Sequence, residues 1–250
     1  MKIVLMTSDH PRHIMFIREI HKRHNIEAVF FESKPTFEEA KYKKEINFFS
    51  DPTYLLSDLE AFNVEKGEIN SQSVIENLKS INPDCVLVFG SSILKKRLIN
   101  SIDAKWINIH TGIVQAFRGV DSCFWAIHDK KPEAVGATIH SIDLGIDTGS
   151  ILLQGRTEIE PGDDIDTLFF KTCKLGIDLL ANNLEKLVSL KTNKNYLKST
   201  GKLYMIKHMN EKAQSFVNSN IENIIEDYLK NKDSRDLNLK ILETINENYN

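Results

Sequence analysis

Asn108 and His110 are the residues whose types and spacing most directly suggest chemistry. They lie in Trp106-Ile-Asn-Ile-His-Thr-Gly-Ile-Val-Gln-Ala-Phe-Arg-Gly119, at the end of an apolar run that reads as a strand. Successive strand side chains face opposite ways, so Asn108 and His110 share one face while Ile107 and Ile109 pack behind. An amide and an imidazole converging on one point, joined by a carboxylate from elsewhere, make an acyl-transfer set. The amide donates to a developing oxyanion, the imidazole polarises the acyl group or handles a proton, and the acid fixes the ring's tautomer. A later stretch, Leu144-Gly-Ile-Asp-Thr-Gly149, supplies such an acid in Asp147. The alternative for the first stretch is a capping Asn and a structural His.

The elements needed to hold these groups follow from apolar periodicity. Residues 2–7 read as a buried strand and 11–24 as a helix, the opening of an α/β unit. The turn between them, residues 7–13, has no glycine, so neither Gly-x-Gly-x-x-Gly nor a Walker loop is present. Arg12 and His13 could meet a phosphate by side-chain charge instead, or simply form a solvated first helical turn behind Pro11.

Further strands are expected at 26–31 and at 85–89, the latter a continuous apolar run of the kind found mid-sheet. It ends in Gly90-Ser-Ser-Ile-Leu-Lys-Lys96, a loop in the position where α/β proteins bind ligands. Residues 36–59 read as helix, interruption, helix, with Phe48-Phe49 in the first part and Tyr54-Leu-Leu56 in the second. Helices are expected at 71–81, 120–128 and 164–190, the last capped by Asp163 or Asp164, and alternating strands at 134–142 and 150–159. After residue 191 the chain turns Lys- and Asn-rich, with one more β element at 199–206 and polar, narrow-striped helices from 210 onward.

Composition removes several classes. The 250 residues carry a net charge of -3, with 41% hydrophobic and 27% charged side chains, the profile of an ordinary globular chain rather than a nucleic-acid binder. No apolar run approaches bilayer-spanning length and the N-terminal one is too short for a signal peptide, so a cytoplasmic protein without membrane contact is expected. Cys85, Cys123 and Cys173 have no metal-ligand spacing and read as buried thiols. His128, His140 and His208 are scattered, and no metal is expected.

Taken together, Asn108-Ile-His110, Phe117-Arg-Gly119, Gly136-Ala-Thr-Ile-His140 and Leu144-Gly-Ile-Asp147-Thr-Gly149 resemble the formyltransferase family that uses 10-formyltetrahydrofolate. The match covers roughly residues 1–190. The resemblance implies a Rossmann-like α/β catalytic domain at 1–190 with a mostly parallel sheet, followed by a short β/helical extension at 191–250. It implies Asn108, His110 and Asp147 as catalytic residues. Ser91, Ser92, Ile93, Leu94, Asp143, Leu144, Gly145 and Ile146 then fall at contacts to the folate co-substrate.

Arg118-Gly-Val-Asp121, Phe124-Trp125 and the later Gly201-Lys-Leu-Tyr204 are most similar to the nucleotide-linked amino-sugar N-formyltransferases. That implies a dTDP- or UDP-linked amino sugar as substrate, best dTDP-4-amino-4,6-dideoxyglucose, for O-antigen or other surface polysaccharide synthesis in a bacterium. Candidate contacts to it are Arg12, Thr111, Gly112, Arg118, Gly119, Asp121 and Trp125, with Trp125 alternatively filling core. A homodimer is expected. The glycine-rich phosphate turn of glycinamide ribonucleotide formyltransferase is missing, and the last 60 or so residues do not resemble the basic β-barrel domain of methionyl-tRNA formyltransferase. Other formyl acceptors, or a binding module that senses folate or nucleotide without turnover, are the alternatives.

Overall fold

The computed structural model describes residues 1–33, 39–49, 59–190 and 198–243. The chain forms two compact units, 1–109 and 110–250.

The first unit alternates strand and helix: β1 (Ile3–Thr7), α1 (Pro11–His21), β2 (Ile26–Glu32), α2 (Glu39–Phe49), β3 (Glu60–Val64), a 3-10 turn (Glu68–Asn70), α3 (Gln72–Ile81), β4 (Cys85–Val88), α4 (Lys96–Ile99) and β5 (Lys105–His110), whose last residue opens the second unit. All its strand pairings are parallel, in the order β3-β2-β1-β4-β5. β1 and β4 are buried along their whole length, which is why both read as unbroken apolar runs. The chain steps outward from β1 to β3 and then crosses to β4. That reversal leaves the loops after β1 and β4 side by side, the usual ligand position in such sheets.

β3 was not expected. Its five residues are mostly exposed, so they show no apolar run. The second helix expected around Tyr54 to Leu56 lies outside the described residues.

Arg12, expected at substrate, is instead buried in this unit. Its Nη1 donates to both carboxylate oxygens of Glu45 at 2.8 and 2.9 Å, and its backbone N–H donates to the same group at 3.1 Å. Glu45 is fully buried. Breaking such a pair strands a charge in the interior. Glu45→Ala is therefore expected to lower the unfolding free energy by about 3–5 kcal/mol, read from urea denaturation. A loss under 1 kcal/mol, on the order of an exposed pair, would contradict this. His13 is also buried, with Nδ1 2.6 Å from the Thr7 hydroxyl.

The second unit contains β6 (Phe117–Gly119), α5 (Ser122–His128), a 3-10 turn (Pro132–Ala134), β7 (Gly136–Ser141), β8 (Ile151–Arg156), α6 (Ile165–Ser189), β9 (Lys202–Tyr204), a further 3-10 turn (Ile206–His208), α7 (Glu211–Lys230) and α8 (Lys232–Asn238). β7 and β8 pair antiparallel, and β6 and β9 pair parallel. The whole is an α/β chain with a mostly parallel central sheet. α6 is capped by Asp164, which accepts the Thr167 N–H at 2.7 Å, while Asp163 binds Lys171.

The core of this unit is built from both sides of residue 190. Trp125, 3% exposed, stacks on Tyr204 at 3.9 Å with an interplanar angle of 2°, and α7 buries Val217, Ile225 and Tyr228 in the same cluster as Phe117 and Ile127. Trp125 is thus a core residue, because Tyr204 covers the ring face that a nucleotide base would need. The described part of the extension, 198–243, packs within the second unit.

Candidate active site

His110 ends β5 and Asp147 sits in the loop joining β7 to β8. The structure brings them together, with His110 Nδ1 3.3 Å from Asp147 Oδ2. The other carboxylate oxygen faces Nε2 of His140, from β7, at 3.4 Å. The Gly119 N–H donates to Asp147 Oδ2 at 2.7 Å. One acid therefore orients two imidazoles while a backbone amide fixes the acid. Asp147 has φ 51, a left-handed conformation that Asp tolerates better than most residues. The loop is braced locally: Asp143 accepts the Gly145 N–H at 3.0 Å and the Thr148 hydroxyl at 2.6 Å. Leu144 stands 63% exposed at its tip.

His110 is 5% exposed, and its far nitrogen meets two groups of opposite character. Nε2 is 3.2 Å from the Ser122 hydroxyl and 3.2 Å from the Phe117 carbonyl. A neutral ring that donates Nδ1–H to Asp147 leaves Nε2 to accept from the Ser122 hydroxyl. A protonated ring can donate to the Phe117 carbonyl instead. The site thus has a partner ready for each protonation state. Gly112 makes room for this, since a Cβ there would lie 2.7 Å from His110 Nε2 and 2.4 Å from Ser122 Cβ.

Burial holds the His110 pKa below the ordinary imidazole value, outweighing the opposing charge of Asp147. Asp147 is desolvated too, which opposes ionisation, but His110, the hydrogen bond to His140 and the Gly119 N–H together hold its carboxyl well below the usual range. At neutral pH the pair is a carboxylate beside a neutral imidazole, able to take a proton at Nε2.

Sequence reading missed Ser122 because it placed residues 120–128 in one helix. β6 occupies 117–119, and Asp121, exposed and at φ 54, turns the chain so that α5 begins at Ser122. Ser122→Ala removes the donor that favours the neutral ring. Its kcat should fall about tenfold, as expected for a lost partner of a working imidazole, and the acid limb of its pH–rate profile should move to higher pH. An unmoved limb would sever Ser122 from His110's titration.

The remaining candidates are placed as follows. Asn108 lies two residues before His110 in β5 and is half-buried. The carbonyls of Thr111 and Gly112 accept from Cys123 Sγ at 3.4 Å and the Thr138 hydroxyl at 2.6 Å, which anchors the turn after β5. Arg118 is half-buried, with Nε donating to the Gly201 carbonyl at 2.8 Å and Nη1 to the Ile146 carbonyl at 3.2 Å. Both partners are neutral. Among the described residues no acid pairs with this guanidinium. In the first unit, the loop after β4 holds Ser91 and Ser92 half-buried, Leu94 buried and Ile93 61% exposed.

Residues 1–184 match the family described as formyl transferase, and the chain belongs to that family. Among curated relatives it is 31% identical over 121 residues to methionyl-tRNA formyltransferase of Trichlorobacter lovleyi, a match covering 48% of this chain and 38% of that protein. The chain thus matches less than half the length of this relative. Among solved structures, a sugar N-formyltransferase from a Shewanella species superposes with a TM-score of 0.59 at 21% identity, covering 87% of this chain and 86% of that one. An N-formyltransferase from Helicobacter canadensis, in complex with folinic acid and dTDP-3-aminofucose, gives a TM-score of 0.57 at 19% identity, covering 84% and 72%.

Proposed function

We propose that the protein is an N-formyltransferase that moves the formyl group of 10-formyltetrahydrofolate to the amine of a nucleotide-linked deoxyamino sugar, dTDP-4-amino-4,6-dideoxyglucose being the best candidate. The observation that carries it is the His110–Asp147 contact at 3.3 Å inside the matched family region. In this reading residues 1–190 are the catalytic domain and 191–250 an extension, the protein acts as a homodimer, and its product feeds surface polysaccharide synthesis.

Formyl transfer requires the amine as free base, the formyl carbon in line with it and a resting place for the oxyanion. Asn108 supplies the side-chain N–H for that oxygen. His110 takes the amine proton at Nε2 and Asp147 stabilises the imidazolium so formed; as the oxyanion collapses, the bond from the formyl carbon to N10 breaks and the proton passes to N10, releasing tetrahydrofolate. Residues 91–94 and 143–146 hold the folate, with Ile93 and Leu144 as the exposed apolar contacts. Arg118, with no acid of its own among the described residues, meets the pyrophosphate. The Helicobacter complex, holding a folate and a dTDP-amino sugar on the same fold, supports the pairing of substrates.

The sequence relatives named methionyl-tRNA formyltransferase suggest a second acceptor. The net charge of -3 weighs against a tRNA, whose binding requires a basic surface. The test is incubation with 10-formyltetrahydrofolate and a panel of dTDP- and UDP-amino sugars, glycinamide ribonucleotide and methionyl-tRNA, following tetrahydrofolate release. Release with a dTDP-amino sugar supports the proposal. Release with methionyl-tRNA alone moves the assignment there, and no release with any amine points to a binding module.

A further inference from the structure

The loop that follows β4 contains neither helix nor strand from Phe89 to Lys95, yet it is not loosely held. Backbone groups in such a segment need partners, and here two side chains from distant parts of the first unit provide them. Glu32, the last residue of β2, is 1% exposed. Its Oε2 accepts the Ser92 N–H at 2.6 Å and its Oε1 accepts the Gly67 N–H at 2.8 Å. Asn70 closes the 3-10 turn that begins just after Gly67. Its Nδ2 donates to the Ile93 carbonyl at 3.0 Å and its Oδ1 accepts the Lys95 N–H at 2.6 Å.

We propose that Glu32 and Asn70 are positioning residues that clamp the 91–95 loop in the shape that receives the formyl donor. This rests on the reading of residues 91–94 as the folate-binding loop. The two grips are coupled, because the same carboxylate that holds Ser92 also anchors the base of the turn carrying Asn70. A buried carboxylate accepting two N–H groups binds more strongly than a neutral acceptor. Loop geometry is further set from below: Gly90 has φ +74, and a Cβ there would lie 2.2 Å from the His13 ring. Neither Glu32 nor Asn70 is assigned a contact with the reacting atoms. Their effect is on the fraction of molecules whose loop is competent to bind, and apparent affinity scales with that fraction.

Glu32→Gln keeps the shape but can accept at only one oxygen, leaving one of the two N–H groups facing an amide NH2. Asn70→Asp keeps the acceptor for Lys95 and loses the donor to Ile93. The experiment measures the Kd of 5-formyltetrahydrofolate, which carries its formyl on the other nitrogen, by calorimetry. It also measures kcat and KM for 10-formyltetrahydrofolate with dTDP-4-amino-4,6-dideoxyglucose as acceptor. Each variant should raise the folate Kd and KM about tenfold while kcat stays within about twofold, the signature of a reduced competent fraction.

A folded variant of either kind whose folate Kd stays within about twofold of native overturns the clamp, as does a fall in kcat at unchanged KM. If Glu32→Gln does not fold, Asn70→Asp decides. Ile93→Asp at the exposed tip separates the two levels of the argument. Weakened folate binding there with unaffected Glu32→Gln and Asn70→Asp rejects the clamp alone, whereas unweakened binding in Ile93→Asp rejects the folate loop and the clamp with it.

Discussion

Asp147→Asn is expected to lower kcat by roughly a thousand- to ten-thousandfold with small changes in either KM, the scale seen when the acid behind a working imidazole is made neutral. Asn tolerates the left-handed backbone that Asp147 adopts, so the loop is kept and the charge is what is lost. The replaced group faces the Gly119 N–H at 2.7 Å and two ring nitrogens, His110 Nδ1 at 3.3 Å and His140 Nε2 at 3.4 Å. An amide carries no charge and so does not stabilise an imidazolium as the carboxylate does.

Two pH effects accompany the loss. The charge of Asp147 is what opposes burial in setting the His110 pKa, so removing it moves the acid limb to lower pH, opposite to the shift expected for Ser122→Ala. Stability responds through Asp147 itself. Its folded pKa is depressed, so its stabilising contribution is present above the ordinary Asp value near 3.9 and is lost as pH falls through the folded value. The stability gap between native protein and Asp147→Asn should accordingly close only below about pH 4, as followed by denaturant titrations across pH. A gap that persists unchanged at pH 2 would mean the carboxylate charge was not its source.

Asn108→Ala is expected to cost roughly a hundred- to a thousandfold in kcat, the usual effect of removing one donor to an oxyanion. Because the donor acts on charge that develops during transfer, ground-state binding should be nearly untouched. Asn108→Asp should be at least as damaging, since it replaces a donor with a like charge near the oxyanion. A compensating rise in KM with kcat near native would instead make Asn108 a substrate-binding residue.

Much of this site was readable from the chain. His110 and Asp147 were legible because each follows a strand-like run and each belongs to a short motif. What stayed hidden depends on contacts that spacing does not encode. Ser122 reaches His110 only because Asp121 turns the backbone left-handed, which periodicity reads as ordinary helix. Arg12 looked like a phosphate contact in a polar turn, and its partner Glu45 lies on another helix. Trp125 looked suited to a base until Tyr204, from beyond residue 190, covered its face. β3 escaped notice because an exposed edge strand has no apolar signature. Glu32 lies just past the strand expected at 26–31, and nothing local indicates that it holds two distant backbone groups.

The most direct measurement of the central claim compares the native protein and His110→Asn in formyl transfer from 10-formyltetrahydrofolate to dTDP-4-amino-4,6-dideoxyglucose at pH 7.5, with circular dichroism confirming that both are folded. Tetrahydrofolate release by the native protein and only background release by the variant is the predicted result. A folded His110→Asn protein releasing tetrahydrofolate at near-native rate would contradict it.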